Sequence, residues 1–555
     1  MTATPSLAPA VPPARPPAPR PKSVAFDTES PTSADMASPT RRPLRSNATD
    51  PLSDRATSLL IRRTLCSPQL GEKSRDSQVP IDELLPPLTS RNDVDLQLYA
   101  LLAIIMREFV QSWYSKITTD EHFVSEILHI IAHCSRALEQ RFRKVDLESL
   151  VLDEIPDLLD KHITPIARQP VEVDPREAYH AMCPLPHLAP VPHPDCPDTI
   201  SDQKENEALY RQLLVQGVLA ILLPTEDLEN PCLTSLVEQI FSELIIGNVI
   251  ANKASQPWML YEGICITARV LRQGNDQGVV VAETQNDSGG PKVDVKGRRS
   301  WSVRSMFLAV IQLGMLVVAS LRFITTALVM ASSLPARATP LDEKEALLDH
   351  DKSPPRSSDP VKAPILSCRV WTCLGNLFEL SLRMPWLDGF LSLLQYGAVN
   401  GPGRIAGHDG PIDRLLSHHI NSLFSPSNLP PLLRTLRGVL FPNNAPGKTT
   451  LFPPSSEAEL QALRRRAAKS LWGLLPKGVG RLYFGGRLWR RSAESEGDLS
   501  DDEDLVDEME RLLLVLDDEY CNKHLMYSIL ELLLARLMPE LTEKSVTELW
   551  EERLG

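Results

Sequence analysis

Five residues of zinc-ligand type crowd into "HAMCPLPHLAPVPHPDC": His180, Cys183, His187, His193 and Cys196. Imidazole and thiolate are the usual donors of a tetrahedral site, but such sites bring ligands in pairs on short knuckles. Here five prolines stiffen the segment against converging on one ion, so the reading is a Pro-rich interhelical loop with no metal. The stretch "PNNAPGKTT" ends like a phosphate loop at Gly447, Lys448 and Thr449. Its first glycine is replaced by Pro442, and the helix that should cap a phosphate is broken by Pro453 and Pro454. HExxH, GxSxG and GxGxxG are all missing, so no catalytic residue and no cofactor is assigned and the protein is read as a non-enzyme.

Two further stretches have the chemistry of membrane contact. Between Arg464 and Arg491 the chain holds nine Arg/Lys, no acid, and interleaved aromatics. Arg464, Arg465, Arg466, Arg490 and Arg491 suit anionic headgroups, and Trp472 and Trp489 suit the interface. The alternative is a solvated basic face neutralised by the acidic segment 494–511, in which Ser495 and Ser500 precede acids and suit phosphorylation. The second stretch is 306–334. Met306 to Leu321 is short of the roughly 20 residues that cross a bilayer, but tolerating Arg322 extends the run to 29 and brings in Phe323 beside Met306 and Phe307. Arg298, Arg299 and Arg304 would mark a cytosolic flank. A span, an interfacial helix and a core helix all remain open.

The elements that position these stretches are helical. Strand-like alternation is nearly absent, and 555 residues suggest two or three domains. Of the 48 prolines, 16 fall in residues 1–92, which read as a disordered arm. Helical periodicity runs through 93–272, with Pro156 interrupting or restarting one helix. In "LPTEDLENPCLTSLVEQIFSELIIGNVI", Asn230 is an N-cap and Pro231 occupies the first turn. Leu233, Leu236, Val237, Ile240, Phe241, Leu244, Ile245 and Val249 recur at helical spacing, which predicts a buried face and a core helix. Polar linkers at 273–300 and 335–364 flank the apolar segment 301–334, and helices resume over 365–555. A net charge of −13 argues against nucleic acid, and nine scattered cysteines with no apolar leader at the N-terminus read as free thiols in a reducing compartment.

Taken together, "FVQSWYSKITTDEHF" and "LLPTEDLENPCLTSLVEQIFSELIIGNVIANKASQPWMLYEGI" resemble the PXA (PX-associated) domain of one group of sorting nexins. Trp113, Tyr114, Asp120 and Phe123 match its first half; Leu223, Pro224, Asp227, Asn230, Pro231, Glu243, Asn248, Val249, Pro257, Trp258 and Glu262 match its second. "VPHPDC" departs from the family's "PHPAL" pattern. The C-terminal half, through "LRMPWLDGFLSLLQ" and "LLLVLDDEYCNKHLMYSILELLLARLMPEL", more weakly resembles the C-terminal domain of the same nexins. The 92 residues Gln273–Pro364 leave no room for the RGS and PX domains found between these ends in longer members, so the arrangement is similar to short fungal PXA proteins. The resemblance implies an all-α fold of two helical domains. It also implies phospholipid or a membrane surface as partner, lipid binding or transfer, and a cytoplasmic place at endoplasmic reticulum or endosome/vacuole membranes in intracellular transport. The competing expectation is a trafficking scaffold whose disordered arms recruit protein partners.

Overall fold

The computed structural model describes residues 52–66, 80–111, 122–168, 174–283, 362–441, 453–475 and 501–555, apart from 194, 402 and 403, together with isolated positions in 114–116, 311–337 and 444–484. Among the described residues there are helices and no strand; the one β-type pairing is the isolated bridge His193–Cys196. The all-α expectation holds.

The N-terminal half begins earlier than the periodicity suggests. Helix α1, Asp54–Thr64, is capped by Ser53, whose hydroxyl accepts from Ala56 N at 3.4 Å. Ile61, Leu65 and Cys66 pack with Leu85 and Leu88 against Tyr99, Ala100 and Ala103 of α2, Asn92–Ile105. Residues 54–66 and 80–92 are therefore part of a core, not of a disordered arm. The remainder of the arm, 1–51 and 67–79, lies outside the described residues. The reason is reach: α1 also meets α12, Leu429–Leu440, where the fully buried Arg437 donates to Thr57 Oγ1 at 2.9 Å and Arg434 pairs with Asp54. No local pattern announces a partner some 380 positions away.

Helices α3, His122–Phe142, α4, Ile155–Arg168, α5, Pro175–Met182, and α6, Pro197–Leu222, continue the half. Pro156 stands at the second position of α4, directly after a π-helical turn at Leu150–Glu154, so the helix restarts there. Next, α7, Pro231–Gln239, opens as expected: Asn230 Oδ1 accepts from the backbone N–H of Cys232 at 3.2 Å and of Leu233 at 3.3 Å. It continues as a π-helix over Ile240–Ala254, followed by α8, Pro257–Glu283.

In the C-terminal half are α9, Val370–Leu377, α10, Pro385–Asn400, α11, Pro411–Leu423, and α12. They are followed by α13, Glu457–Trp472, α14, Asp501–Leu513, α15, Glu519–Leu537, and α16, Val546–Leu554. The two halves do not pack as separate domains with boundaries at 272 and 365. Tyr520, Cys521 and Tyr527 of α15, with Trp550 of α16, complete a core built from Tyr179, Leu188, Val215, Leu219 and Leu228. In return, Tyr261 and Cys265 of α8 complete a core with Ala467, Ala468, Leu505 and Met509. Each half lends helices to the other, and residues 50–555 form one packed unit.

Candidate lipid-contacting surface

The segment 231–254 is the single helix among the described residues long and apolar enough to cross a membrane, yet it lies on the fold with most of its length unburied. Its orientation corrects the sequence reading. Leu236, Ile240, Phe241, Leu244, Ile245 and Val249 are exposed, Leu244 at 57% and Val249 at 52%, while Leu233 and Val237 are half-buried. The buried side carries Thr234, Ser242, Ile246, Gly247 and Ala251. Two causes act together. From Ile240 the π-helical bonding widens the turn, so buried positions recur at intervals of four or five and a face drawn at ordinary helical spacing drifts off it. Small residues then let the backbone approach α6: a Cβ on Gly247 would meet Arg211 Nε at 3.1 Å. The large apolar side chains are left facing outward.

The same inversion recurs in the C-terminal half. Helix α10 has no buried residue, and Trp386, Phe390, Leu393 and Leu394 form a stripe along it with Trp386 at 71% exposure. On α12 the buried side chain is Arg437, whereas Leu429, Leu432, Leu436 and Leu440 face outward. Beside α9 and α10 lies an apolar cavity of about 350 Å³ lined by Trp371, Phe378, Leu391, Leu475, Tyr483 and Phe484. Ordinary surface helices bury their apolar stripe, so several outward stripes on one chain mark contact with something apolar.

The basic segment is a different case. Arg464 contacts Glu510 and Asp517, each at 3.1 Å, Arg465 contacts Asp507 at 2.8 Å, and Arg466 pairs with Glu262 of α8. Arg464 keeps only 16% of its side chain exposed. These three arginines pair with acids of α8 and α14 and of the turn leading into α15, because α13 packs between those elements, while Arg465 and Arg466 keep 38% and 60% of their side chains exposed. Trp472 is half-buried and meets Phe484 edge-on, with ring centroids 6.2 Å apart. Trp489, Arg490, Arg491, Met306, Phe307, Phe323, Ser495 and Ser500 lie outside the described residues. So does the phosphate-loop-like run apart from Asn444. In 311–330 every residue with a described side chain is exposed, including Ile311, Met315, Val318, Val329 and Met330.

The PXA-type residues divide between scaffolding and ion pairing. Asn230 and Pro231 start α7; Pro257, buried, starts α8; Trp258 beside it is half-buried; and Glu262 holds Arg466. Burial raises the carboxyl pKa of Asp227, with Glu226 adding to it. Tyr114 is helical and half-buried, Phe123 lies in α3, and Trp113 and Asp120 fall outside the described residues.

One polar seam escaped the sequence reading. His187 stacks on Tyr210 at 3.8 Å, Tyr210 donates to Glu531 at 2.6 Å, and Tyr520 OH lies 3.1 Å from His180 Nδ1. His524 Nε2 contacts the Cys183 carbonyl at 2.6 Å, and Tyr527 donates to Glu207, which also binds Arg211 at 2.8 Å. Burial pushes His162, His187 and His524 down to about 4. His180 in the last turn of α5 and Cys183 and His187 after it thus serve to dock α15, while His193 and Cys196 stand apart, exposed just before α6. The signal was the unusual His/Cys content of the loop; its partners on α15 lie too far along the chain to be recognised.

The comparisons bear on this arrangement. A family model described as "PXA domain" matches residues 91–267. An uncharacterized protein of Saccharomyces cerevisiae is 24% identical over 451 residues, covering 80% of this chain and 79% of that one. PXA domain protein 1 of Schizosaccharomyces pombe is 28% identical over 186 residues, 32% of this chain and 34% of its own. Sorting nexin-14 of Danio rerio is 35% identical over 75 residues, 14% of this chain and 8% of its own. No solved structure matches significantly. Residues 91–267 carry a PXA domain, and over shorter stretches the chain is similar to sorting nexins.

Proposed function

We propose that this protein is a non-enzymatic lipid-binding protein that works at endomembranes, taking up phospholipid acyl chains and passing them between bilayers of the endoplasmic reticulum and the endosome/vacuole system. The observation that carries the reading is the outward apolar face of the segment 231–254, with Leu236, Phe241, Leu244 and Val249 exposed on a helix of near-membrane apolarity. Exposed apolar area of this extent is costly in water and is offset when acyl chains cover it. The stripes on α10 and α12 extend the same surface chemistry to the C-terminal half. Kinship to sorting nexins supports a role in membrane trafficking or sorting, and the PXA domain supports membrane association on the cytosolic side.

Native mass spectrometry of the full chain purified without detergent tests the reading. Adducts of phospholipid mass, lost in a Phe241→Ser/Leu244→Ser variant, are the expected result. A clean apo mass with no lipid transfer between donor and acceptor vesicles would leave the protein-recruiting scaffold as the better account.

A further inference from the structure

A second, mainly apolar cavity of about 710 Å³ opens where α15 packs into the N-terminal half. Pockets that take one small molecule run from roughly 300 to 1,000 Å³, so the space suits a single-chain amphiphile. Its wall from α15 is Ser528, Glu531, Leu532 and Ala535, which follow one another at three- and four-residue spacing and so share a face. Leu158 of α4, Leu185, Leu214 of α6 and Leu541 supply most of the remaining apolar lining. The charges around the cavity are uneven. Glu154 accepts from Arg536 Nε at 2.7 Å, and Asp157 pairs with Lys161 at 2.8 Å and Arg369 at 2.6 Å. Glu531 has neither Lys nor Arg beside it among the described residues. Its Oε1 accepts from Tyr210 at 2.6 Å, and His187 Nδ1, kept neutral near pH 7 by burial, lies 3.7 Å away. No described residue donates to Oε2, and the side chain stays 36% exposed. Burial raises the Glu531 carboxyl pKa, as expected of an anion short of a countercharge. One turn away, Ser528 Oγ donates to the His524 carbonyl at 2.9 Å, which leaves its lone pairs to accept.

We infer that this cavity is a binding site for an alkyl amine, a single-chain amphiphile whose ammonium group donates to Glu531 Oε2 and Ser528 Oγ while its chain lies on Leu158, Leu214 and Leu532. A cation supplies the countercharge that Glu531 lacks, and a charge-assisted hydrogen bond to a partly buried carboxylate is the strong kind. An anionic head would meet that carboxylate as a like charge. The guanidinium on the wall, Arg536, is already held by Glu154, so an anion finds no free countercharge among the lining residues. A hydrocarbon without a polar head would cover the leucines and leave Glu531 as it is. The cavity shares no lining residue with the outward face of 231–254, so the two can be tested apart.

Calorimetric titration of the full chain with decylammonium, decanoate and decanol, each within its soluble range, tests this. Decylammonium should bind at one site per chain, with decanoate at least about tenfold weaker. Glu531→Gln keeps the acceptor for Tyr210 and removes the charge. It should weaken decylammonium about tenfold, leave decanol unchanged and melt as the parent does. Ala535→Trp, which fills the cavity from α15, should abolish binding of both. Sphinganine and lysophosphatidylethanolamine, added as competitors, distinguish a free long-chain base from a lipid headgroup as the source of the ammonium; displacement of decylammonium by either supports the site. Phe241→Ser/Leu244→Ser should bind decylammonium as the parent does, whatever becomes of its phospholipid adducts. Decanoate binding as tightly as decylammonium overturns the amine site. So does an unchanged decylammonium affinity in Glu531→Gln, or no binding of decylammonium by the parent.

Discussion

At the residue scale, the sharpest consequences concern which side chains of the 231–254 segment matter for stability. Phe241 and Leu244 are 46% and 57% exposed, so Phe241→Asp or Leu244→Asp should change unfolding free energy by no more than about 0.5 kcal/mol. Ile246 is 8% exposed, and Ile246→Asp should cost about 3 kcal/mol or more through an unpaired buried carboxylate. Thermal melts of the three variants separate the π-helical face from the one drawn at ordinary helical spacing. Protonation gives a second test. His162, His187 and His524 have folded pKa values near 4 against an ordinary 6.5, so the unfolded chain binds more protons between those values. Their contribution is complete above pH 6.5 and is lost as pH falls toward 4. Glu531, whose pKa burial raises, acts in the opposite sense and offsets part of the loss. Urea midpoints should therefore drop from pH 7 to pH 4.5, and His524→Gln should flatten the dependence.

At the element scale, inverted helices explain the surface. On 231–254 the buried positions apart from Ile246 are small, on α12 the buried side chain is the charged Arg437, and most of the large apolar side chains are exposed, the reverse of a soluble bundle. Arg337 belongs here too, since its buried guanidinium contacts Glu148 at 2.8 Å and Asp413 of α11 at 2.9 Å and so ties α11 to the turn at Glu148. Arg337→Met should destabilise by about 3–5 kcal/mol, because Glu148 and Asp413 stay buried without a countercharge. A denaturation series measures this, and Arg337→Lys should recover part of the loss.

At the scale of the whole molecule, the exchange of helices means that the PXA domain is not independent. Residues 80–283 alone lack Tyr520, Cys521, Tyr527 and Trp550, which complete their core. That fragment should show no cooperative melt, whereas adding a 501–555 peptide or fusing it should restore one. Calorimetry of the fragment with and without the peptide checks the outcome. A fragment that melts cooperatively alone would mean that α15 and α16 merely cover a finished domain.

The sequence by itself determined the helical class, the start of α7 at Asn230 and Pro231, the restart of α4 at Pro156 and the PXA motif, because capping, proline geometry and motif spacing act within a few residues. It also posed the basic segment as either headgroup site or neutralised face. Only the tertiary structure showed which acids Arg464, Arg465 and Arg466 meet, the outward turn of Leu236 to Val249, and the folding of α1 against α2 and α12. Each depends on a partner far along the chain or on a widened helical turn. Local periodicity reports that an apolar face exists; which way it points is set by what packs on the other side.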